Sequence, residues 1–269
     1  MPNDEELLSV VSWNVNHNSK SWGVIDSMDA DVFLLQEATP KGLSYSDSLR
    51  IIPPPSSDWK VLGANHPAAT AIVVKNSSIV FSEVPIRTHL DDSDGGIAAS
   101  YPGQFAVIQI PLGAQSLTLV SLYGVIQHKL ADSAMHRAIS DLTPLMIERA
   151  PMMVAGDFNI FRGHALSGVT RSRERFDSVF DRFSSFGFSC LGPYSDRGPL
   201  PHCSCGDVDG CEHVATYRYH HQEDQPFQLD YAMGNGALRG RLKSCRVLDE
   251  PRFWATSDHA PIETVINRE

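Results

Sequence analysis

The sequence predicts an α/β fold in which two β-sheets pack face to face with helices outside. Strand-like apolar runs fill the first half of the chain, similar runs return in the second half, and stretches of helical period separate them.

The first-half runs fall at residues 7–14, 31–36, 59–63, 70–75, 79–86, 104–110 and 116–123. Each is rich in Val, Ile, Leu or aromatic residues and is bounded by Pro, Gly, Asn, Asp or Ser, which break or turn the chain. Val32, Phe33, Leu34 and Leu35 are apolar without alternation, and Leu117 to Val120 nearly so, so these strands are expected to be buried on both faces. Residues 19–28 set Trp22, Ile25 and Met28 on one helical stripe. Residues 131–150 carry Met135, Ile139, Leu142, Met146 and Ile147 at spacings of three and four, and residues 174–186 repeat the pattern with Phe176, Val179, Phe180 and Phe183. Pro144 lacks an N–H and crowds the preceding turn, so a kink is expected there, or a second helix capped by Thr143. Strands resume at 152–156, 213–219, 228–233, 242–248 and 262–266.

A chain of 269 residues can bury one large core. It has no internal repeat or low-complexity linker, and the rigid Pro53–Pro55 loop is too short to separate domains. A single domain over 1–269 is expected, with an irregular Cys-rich insertion near 192–213. With 42% hydrophobic and 20% charged residues the composition is that of a globular protein. No apolar run is long enough to span a bilayer, and the acidic start is unlike a secretory leader. Five cysteines in no regular framework suit a reducing compartment, so the cytoplasm is expected. A net charge of −10 argues against tight non-specific binding to nucleic acid. A nucleic-acid substrate stays open, because a carboxylate cluster that holds a cation is locally neutralised.

Polar residues recur where apolar strands end. Ser12-Trp13-Asn14-Val15-Asn16 closes the first run and Leu34-Leu35-Gln36-Glu37 the second. Val154-Ala155-Gly156-Asp157-Phe158-Asn159 closes another, Gln228-Leu229-Asp230-Tyr231 marks a fourth, and Ser257-Asp258-His259-Ala260-Pro261 opens the last. Such positions can converge at one rim of a sheet assembly. Hydrolysis of a phosphate ester needs a cation to offset charge, a base to take a proton from water, and donors to hold the transition state. The hard oxygens of Asn14, Glu37 and Asp258 suit Mg²⁺ or Mn²⁺. Asp157 can serve as base and Asn159 as amide donor. His259 can donate to a phosphoryl oxygen if Asp230 orients it.

The series SWNVN, LLQEAT, SLYG, GDFN, LDYAM and SDHAPI resembles the motifs of the endonuclease/exonuclease/phosphatase family, in order and over nearly the whole chain. The resemblance implies a deoxyribonuclease I-like, four-layer fold, a two-sheet sandwich flanked by helices. It implies Asn14 and Glu37 as metal ligands with Asp258 close to the ion, Asp157 as the residue that activates water, and Asn159 as the one that orients water or phosphate. Asp230 and His259 match the family's Asp–His pair, and Tyr123 a tyrosine near the scissile phosphate. The implied activity is metal-dependent phosphodiester hydrolysis with nucleic acid as substrate. The alternative is a phosphomonoesterase or phospholipase-type hydrolase of a small or lipid phosphate ester. Asn16 stands where abasic-site endonucleases usually carry Asp, and Ile126 where they carry a phosphate-binding Asn. Both departures weaken the case for abasic-site cleavage.

Further residues are expected to serve the substrate or a second metal. Arg218, His220 and His221 lie in the segment that borders the substrate cleft in the family; an alternating strand with a solvated face is the other reading. Arg162 and Arg171 are the candidate phosphate contacts in a basic stretch whose interleaved acids also fit an ordinary charged helix face. Cys203, Cys205, Cys211 and His213 gather four soft ligands within one short loop, as a structural Zn²⁺ knuckle would; a loop with free thiols is the alternative.

Overall fold

The computed structural model describes residues 7–41, 49–56, 59, 69–88, 96–164, 170–196, 200, 203, 205, 211–219 and 226–268. Along the chain, β1 (Leu7–Asn14) leads through α1 (Ser21–Ser27) to β2 (Val32–Ala38), β3 (Arg50–Ile52) and β4 (Ala69–Val74). The short strands β5 (Ser82–Glu83), β6 (Ile86–Thr88) and β7 (Ile97–Ala99) precede a long hairpin of β8 (Phe105–Leu112) and β9 (Gln115–Tyr123). Next come α2 (Asp132–Met146), β10 (Met152–Asp157), α3 (Ser172–Ser185) and β11 (Phe188–Gly192). The pair β12 (Tyr217–Arg218) and β13 (Pro226–Phe227) forms a small ribbon. The chain then continues through β14 (Asp230–Asn235), α4 (Gly236–Arg239), β15 (Leu242–Val247), α5 (Pro251–Trp254) and β16 (Ile262–Asn267).

Two six-stranded mixed sheets result, in the orders β15-β16-β1-β2-β4-β3 and β11-β14-β10-β9-β8-β5. Side chains alternate across a strand, so a strand covered on both faces must be apolar at every position. That condition produces the uninterrupted runs in β2, β4 and β10. Leu8, Val10, Leu34 and Ile72 of the first sheet face Ile108, Leu119, Met153 and Ala155 of the second. On the far side of the second sheet, Val120, Val154 and Met233 pack against Met135, Ile139 and Leu142 of α2 and Phe176, Val179 and Phe183 of α3. On the far side of the first sheet, Trp13, Phe33, Leu35 and Val73 meet Trp22 and Ile25 of α1 and Phe253 of α5. The layers run helix, sheet, sheet, helix. Each fully buried Leu, Ile, Val or Phe contributes roughly 1.5–3 kcal/mol.

Most expected elements are present, with instructive differences. The run at 79–86 yields only the two residues of β5, at the edge of the second sheet, where Val80 is 71% exposed and Pro85 removes a donor. The expected strand at 213–219 is reduced to Tyr217–Arg218. Helix α2 runs through Pro144 to Met146 without a second cap. Pro144 in the last turn has no N–H to offer the Ser140 carbonyl, and the helix ends two residues later. Residues 60–63 of the strand expected at 59–63 lie outside the described residues.

Candidate active site

The register places three of the expected residues in one row. Strand β10 runs parallel to β9 with Asp157 opposite Tyr123, and antiparallel to β14 with Asp157 opposite Asp230. In the other sheet β1 and β2 are parallel, with Asn14 opposite Gln36 and Glu37 next along the chain. The turn into β16 brings Asp258 and His259 to the same rim, where His259 bridges Tyr217. Two glycines make the close approach possible. A Cβ on Gly156 would collide with the Leu122 carbonyl, and one on Gly124 with the Phe158 carbonyl.

Beneath the rim a buried polar link joins the sheets. Gln36 Nε2 donates to Ser121 Oγ at 2.9 Å, and Ser121 Oγ donates to the Leu35 carbonyl at 3.0 Å. Just above it, β2 bulges between Leu35 and Ala38, and Glu37 takes a left-handed φ of 53°. Asn159 does the same at 51°, and Asn16 and His17 at 47° and 53°. For a non-glycine residue this conformation costs on the order of 1–3 kcal/mol and is held only by surrounding structure. Asn tolerates it better than Glu or His.

Asp157 is the hub of the hydrogen bonds. Its Oδ2 accepts from Asn14 Nδ2 at 2.9 Å and Asn159 Nδ2 at 3.1 Å, and its Oδ1 from the Asn159 backbone at 2.9 Å. The Asn14 amide also donates to Glu37 Oε1 at 3.2 Å, while its own oxygen accepts from the Asn16 N–H at 2.9 Å. That backbone donor fixes which way the amide points. His259 Nδ1 lies 2.9 Å from Asp230 Oδ2, and its Nε2 lies 3.8 Å from Asp157 Oδ2. The imidazole is held from behind as well. Its backbone carbonyl accepts from Trp13 Nε1 at 2.9 Å, and Ser257 Oγ, which accepts from the His259 N–H at 3.0 Å, donates to the Asn14 carbonyl at 2.7 Å.

Burial and neighbouring charge set the ionisation of the group. Burial raises the Asp157 carboxyl, and the nearby Asp230 charge adds to this against the opposing pull of His259. For His259 burial alone would favour the neutral ring, but the carboxylates of Asp230 and Asp157 outweigh it and raise the imidazole. Burial would also raise Glu37, yet the His17 hydrogen bond and charge leave it lowered. Burial, with the charges of Glu37 and Asp157, pushes the Tyr123 phenol up, so it stays protonated. His17 was not among the expected residues. Its Nε2 sits 2.8 Å from Glu37 Oε2, and its only trace in the sequence is its place three residues after Asn14.

A cleft of about 720 Å³ opens over this row. Asn14, Glu37, Tyr123, Asp157, Asn159, Asp258 and His259 all line it, as do Asn16 and Ile126. Asp230 stands behind His259, and its Oδ1 is buried with no hydrogen-bond partner among the described residues. Phe161, Phe176, Tyr217, Tyr219 and Phe227 form an aromatic wall of the cleft. The oxygen donors on this rim suit a hard divalent cation. Asp157, Asp230 and His259 also present ligand atoms within 4.8 Å of one another.

Other expected residues lie elsewhere. Arg218 stacks over Trp254 at 3.8 Å and pairs with Asp249 at 3.6 Å. Arg162 faces a neighbouring cavity, and the Arg171 side chain is 78% exposed at the start of α3, 4.0 Å from Glu174. None of these three arginines lines the cleft. His220 and His221 lie outside the described residues. Cys203 Sγ and Cys211 Sγ lie 3.6 and 3.4 Å from His213 Nδ1, and His164, unforeseen from sequence, joins them with Nε2 3.2 Å from Cys203 Sγ.

The sequence matches the Endonuclease/Exonuclease/phosphatase family over residues 11–259, which takes in the rim residues from Asn14 to His259. The chain belongs to that family. As a member of the Endonuclease/Exonuclease/phosphatase family it is a hydrolase of phosphoesters. Among curated proteins no sequence match is found. Among solved structures it is similar to the catalytic domain of APE2 from Xenopus laevis, with a TM-score of 0.66 at 15% identity over 97% of this chain and 92% of that one. It is also similar to the endonuclease domain of TRAS1, a telomere-specific non-LTR retrotransposon, with a TM-score of 0.63 at 17% identity over 97% and 98%. A third, the 3′ phosphatase NExo from Neisseria, gives 0.57 at 16% identity over 97% and 99%. These likenesses establish the shared fold of the family. No helix among the described residues is long and apolar enough to cross a membrane.

Proposed function

We propose that the protein is a divalent-metal-dependent phosphodiesterase that cuts nucleic acid, acting as one catalytic domain in the cytoplasm. The observation that carries the reading is Asp157, buried between Asn14, Asn159 and His259 on the floor of a cleft walled by aromatic rings. An aromatic wall beside a phosphate-cutting centre offers stacking faces for bases, each contributing roughly 1–3 kcal/mol. None of the five cysteines is in a disulfide, which suits a reducing compartment.

Glu37 and Asp258 would hold the ion, Mg²⁺ or Mn²⁺, and Asn14, whose Nδ2 faces Glu37 and Asp157, would join them only through its Oδ1. When bound it supplies Lewis acidity toward a phosphoryl oxygen and offsets charge on the leaving group. The protein's own groups do the rest. Asp157, raised by burial, takes the proton from the attacking water. Asn159 fixes the orientation of that carboxylate through its backbone and side-chain N–H groups. Asp230 takes His259 Nδ1, so Nε2 is the nitrogen aimed into the cleft, and the charged ring donates to the phosphoryl oxygen as the pentacovalent state forms. Protonated Tyr123, at the same rim, donates to a second oxygen.

A phosphomonoesterase or phospholipase-type activity is the second reading. Lys129 is the one Lys or Arg among the described lining residues of the cleft, fewer cations than a long polyanion would favour. One panel decides between them, run with Mg²⁺ and with EDTA. It compares single-stranded DNA, duplex DNA, abasic duplex, RNA, cyclic dinucleotides and inositol phosphates. Cleavage of a nucleic-acid member, lost in EDTA and restored by Mg²⁺, is expected. Turnover of inositol phosphates alone would displace the nuclease reading.

A further inference from the structure

We propose that His164, Cys203, Cys205 and His213 bind a structural Zn²⁺ that fastens the Cys-rich loop to the wall of the substrate cleft. The site is separate from the cation at Glu37 and does not depend on it. One ligand atom from each of the four residues lies within 4.8 Å of every other. Zinc holds sulfur at about 2.3 Å and imidazole nitrogen at about 2.0–2.1 Å, so two ligands of one tetrahedral ion stand roughly 3.3–3.8 Å apart. Cys203 Sγ lies 3.2 Å from His164 Nε2 and 3.6 Å from His213 Nδ1. The Cys211 thiol, 3.4 Å from His213 Nδ1, is a fifth soft atom beside the set of four.

The chemistry of the donors selects the metal. Two thiols and two imidazoles are the ligands of zinc rather than of Mg²⁺ or Ca²⁺, which take oxygen. The surroundings suit a buried site, with Cys205 at 6% exposure and His164 at 9%.

His164 gives the ion a consequence for the cleft. The sequence places the three other ligands in one loop, but His164 follows β10 and lines the cleft itself. Its ring contacts Phe161 at 6.3 Å between centroids, and Phe161 packs on Phe176 at 5.8 Å and Phe227 at 5.3 Å. An ion that joins His164 to the loop would therefore hold the aromatic wall in place. Because a structural zinc couples binding to folding, the ion would anchor Cys203, Cys205 and His213 to that wall.

Metal content and cobalt spectroscopy on the full chain test this. Protein purified without chelator is expected to carry one zinc per chain. After exchange, Co²⁺ should give the intense d–d bands of tetrahedral coordination and a thiolate-to-cobalt band in the near ultraviolet. His164→Ala and Cys203→Ser should each lose the ion or weaken zinc binding at least tenfold in competition with a chromophoric chelator, whereas Cys211→Ser should keep it. Absence of zinc together with absence of a thiolate band on adding Co²⁺ to the wild-type protein would overturn the site, whatever the folding of the variants. Zinc binding unchanged in His164→Ala, or lost in Cys211→Ser, would overturn the ligand assignment.

Discussion

Asp157 and Asp230 are direct register partners across the antiparallel pair β10 and β14, and the His259 ring approaches both carboxylates. Two acidic residues side by side in a buried sheet repel unless a cation joins them, and the imidazolium is placed to do so. The pairing also separates their tasks. Asp230 holds the far nitrogen of the ring, and Asp157 lines the cleft, where the proposed mechanism has it take a proton from water.

Loss of any member of the triad of roles should stop turnover without unfolding the protein. Glu37→Ala, Asp157→Ala and His259→Ala are each expected to reduce the rate by at least about 10²-fold. Steady-state cleavage of the best substrate from the panel, beside circular dichroism of each variant, checks this. Near-full activity in two of the three would overturn the assignment.

Asp230 acts through His259, so its removal has a different signature. Asp230→Asn keeps the shape but removes the charge that favours the imidazolium, and kcat should drop by roughly 10²-fold with KM little changed. If KM rises while kcat holds, Asp230 serves binding and not the positioning of His259.

The aromatic wall should matter for large substrates and not for small ones. Tyr219→Ala and Phe227→Ala are expected to weaken an oligonucleotide by about 1–3 kcal/mol per stacked base lost, roughly five- to a hundredfold in KM. Hydrolysis of bis(p-nitrophenyl) phosphate, which carries no base, should stay within about twofold. Equal effects on both substrates would mean that the rings support the fold of the rim and not the bases.

The link beneath the site should be felt as stability. Ser121→Ala removes two hydrogen bonds, one from Gln36 Nε2 and one to the Leu35 carbonyl, at a cost of roughly 0.5–1.5 kcal/mol each. Chemical denaturation compares the midpoints. An unchanged midpoint would show that water or a rearranged Gln36 replaces the hydroxyl.

What sequence revealed and what it concealed divide along physical lines. Strands buried on both faces, such as β2 and β10, announce themselves by unbroken apolar runs, and the helices α1, α2 and α3 by their stripes. The motif residues Asn14, Glu37, Tyr123, Asp157, Asn159, Asp258 and His259 meet in one cleft because polar groups at the ends of such runs reach a common rim. Short edge elements such as β3, β5 and β11 have too few residues to show a period. His17 and His164 were missed for another reason. A lone histidine carries no pattern, and only the backbone turns at Asn16 and His17, or the folding of a distant loop against β10, bring these rings to their partners. Arg162 and Arg171 show the reverse: basic residues close in sequence to a motif need not point where the motif points.

The Gln36–Ser121 bond joins sheets that each carry only some of the reactive set. Asn14 and Glu37 belong to one sheet, and Tyr123, Asp157 and Asp230 to the other. The imidazole enters from the turn before β16, the strand inserted between β15 and β1. The ribosome releases Asn14 and Glu37 long before Asp157, and Asp157 long before His259. Neither sheet can assemble the set alone, so the site forms only when both have folded and closed on each other.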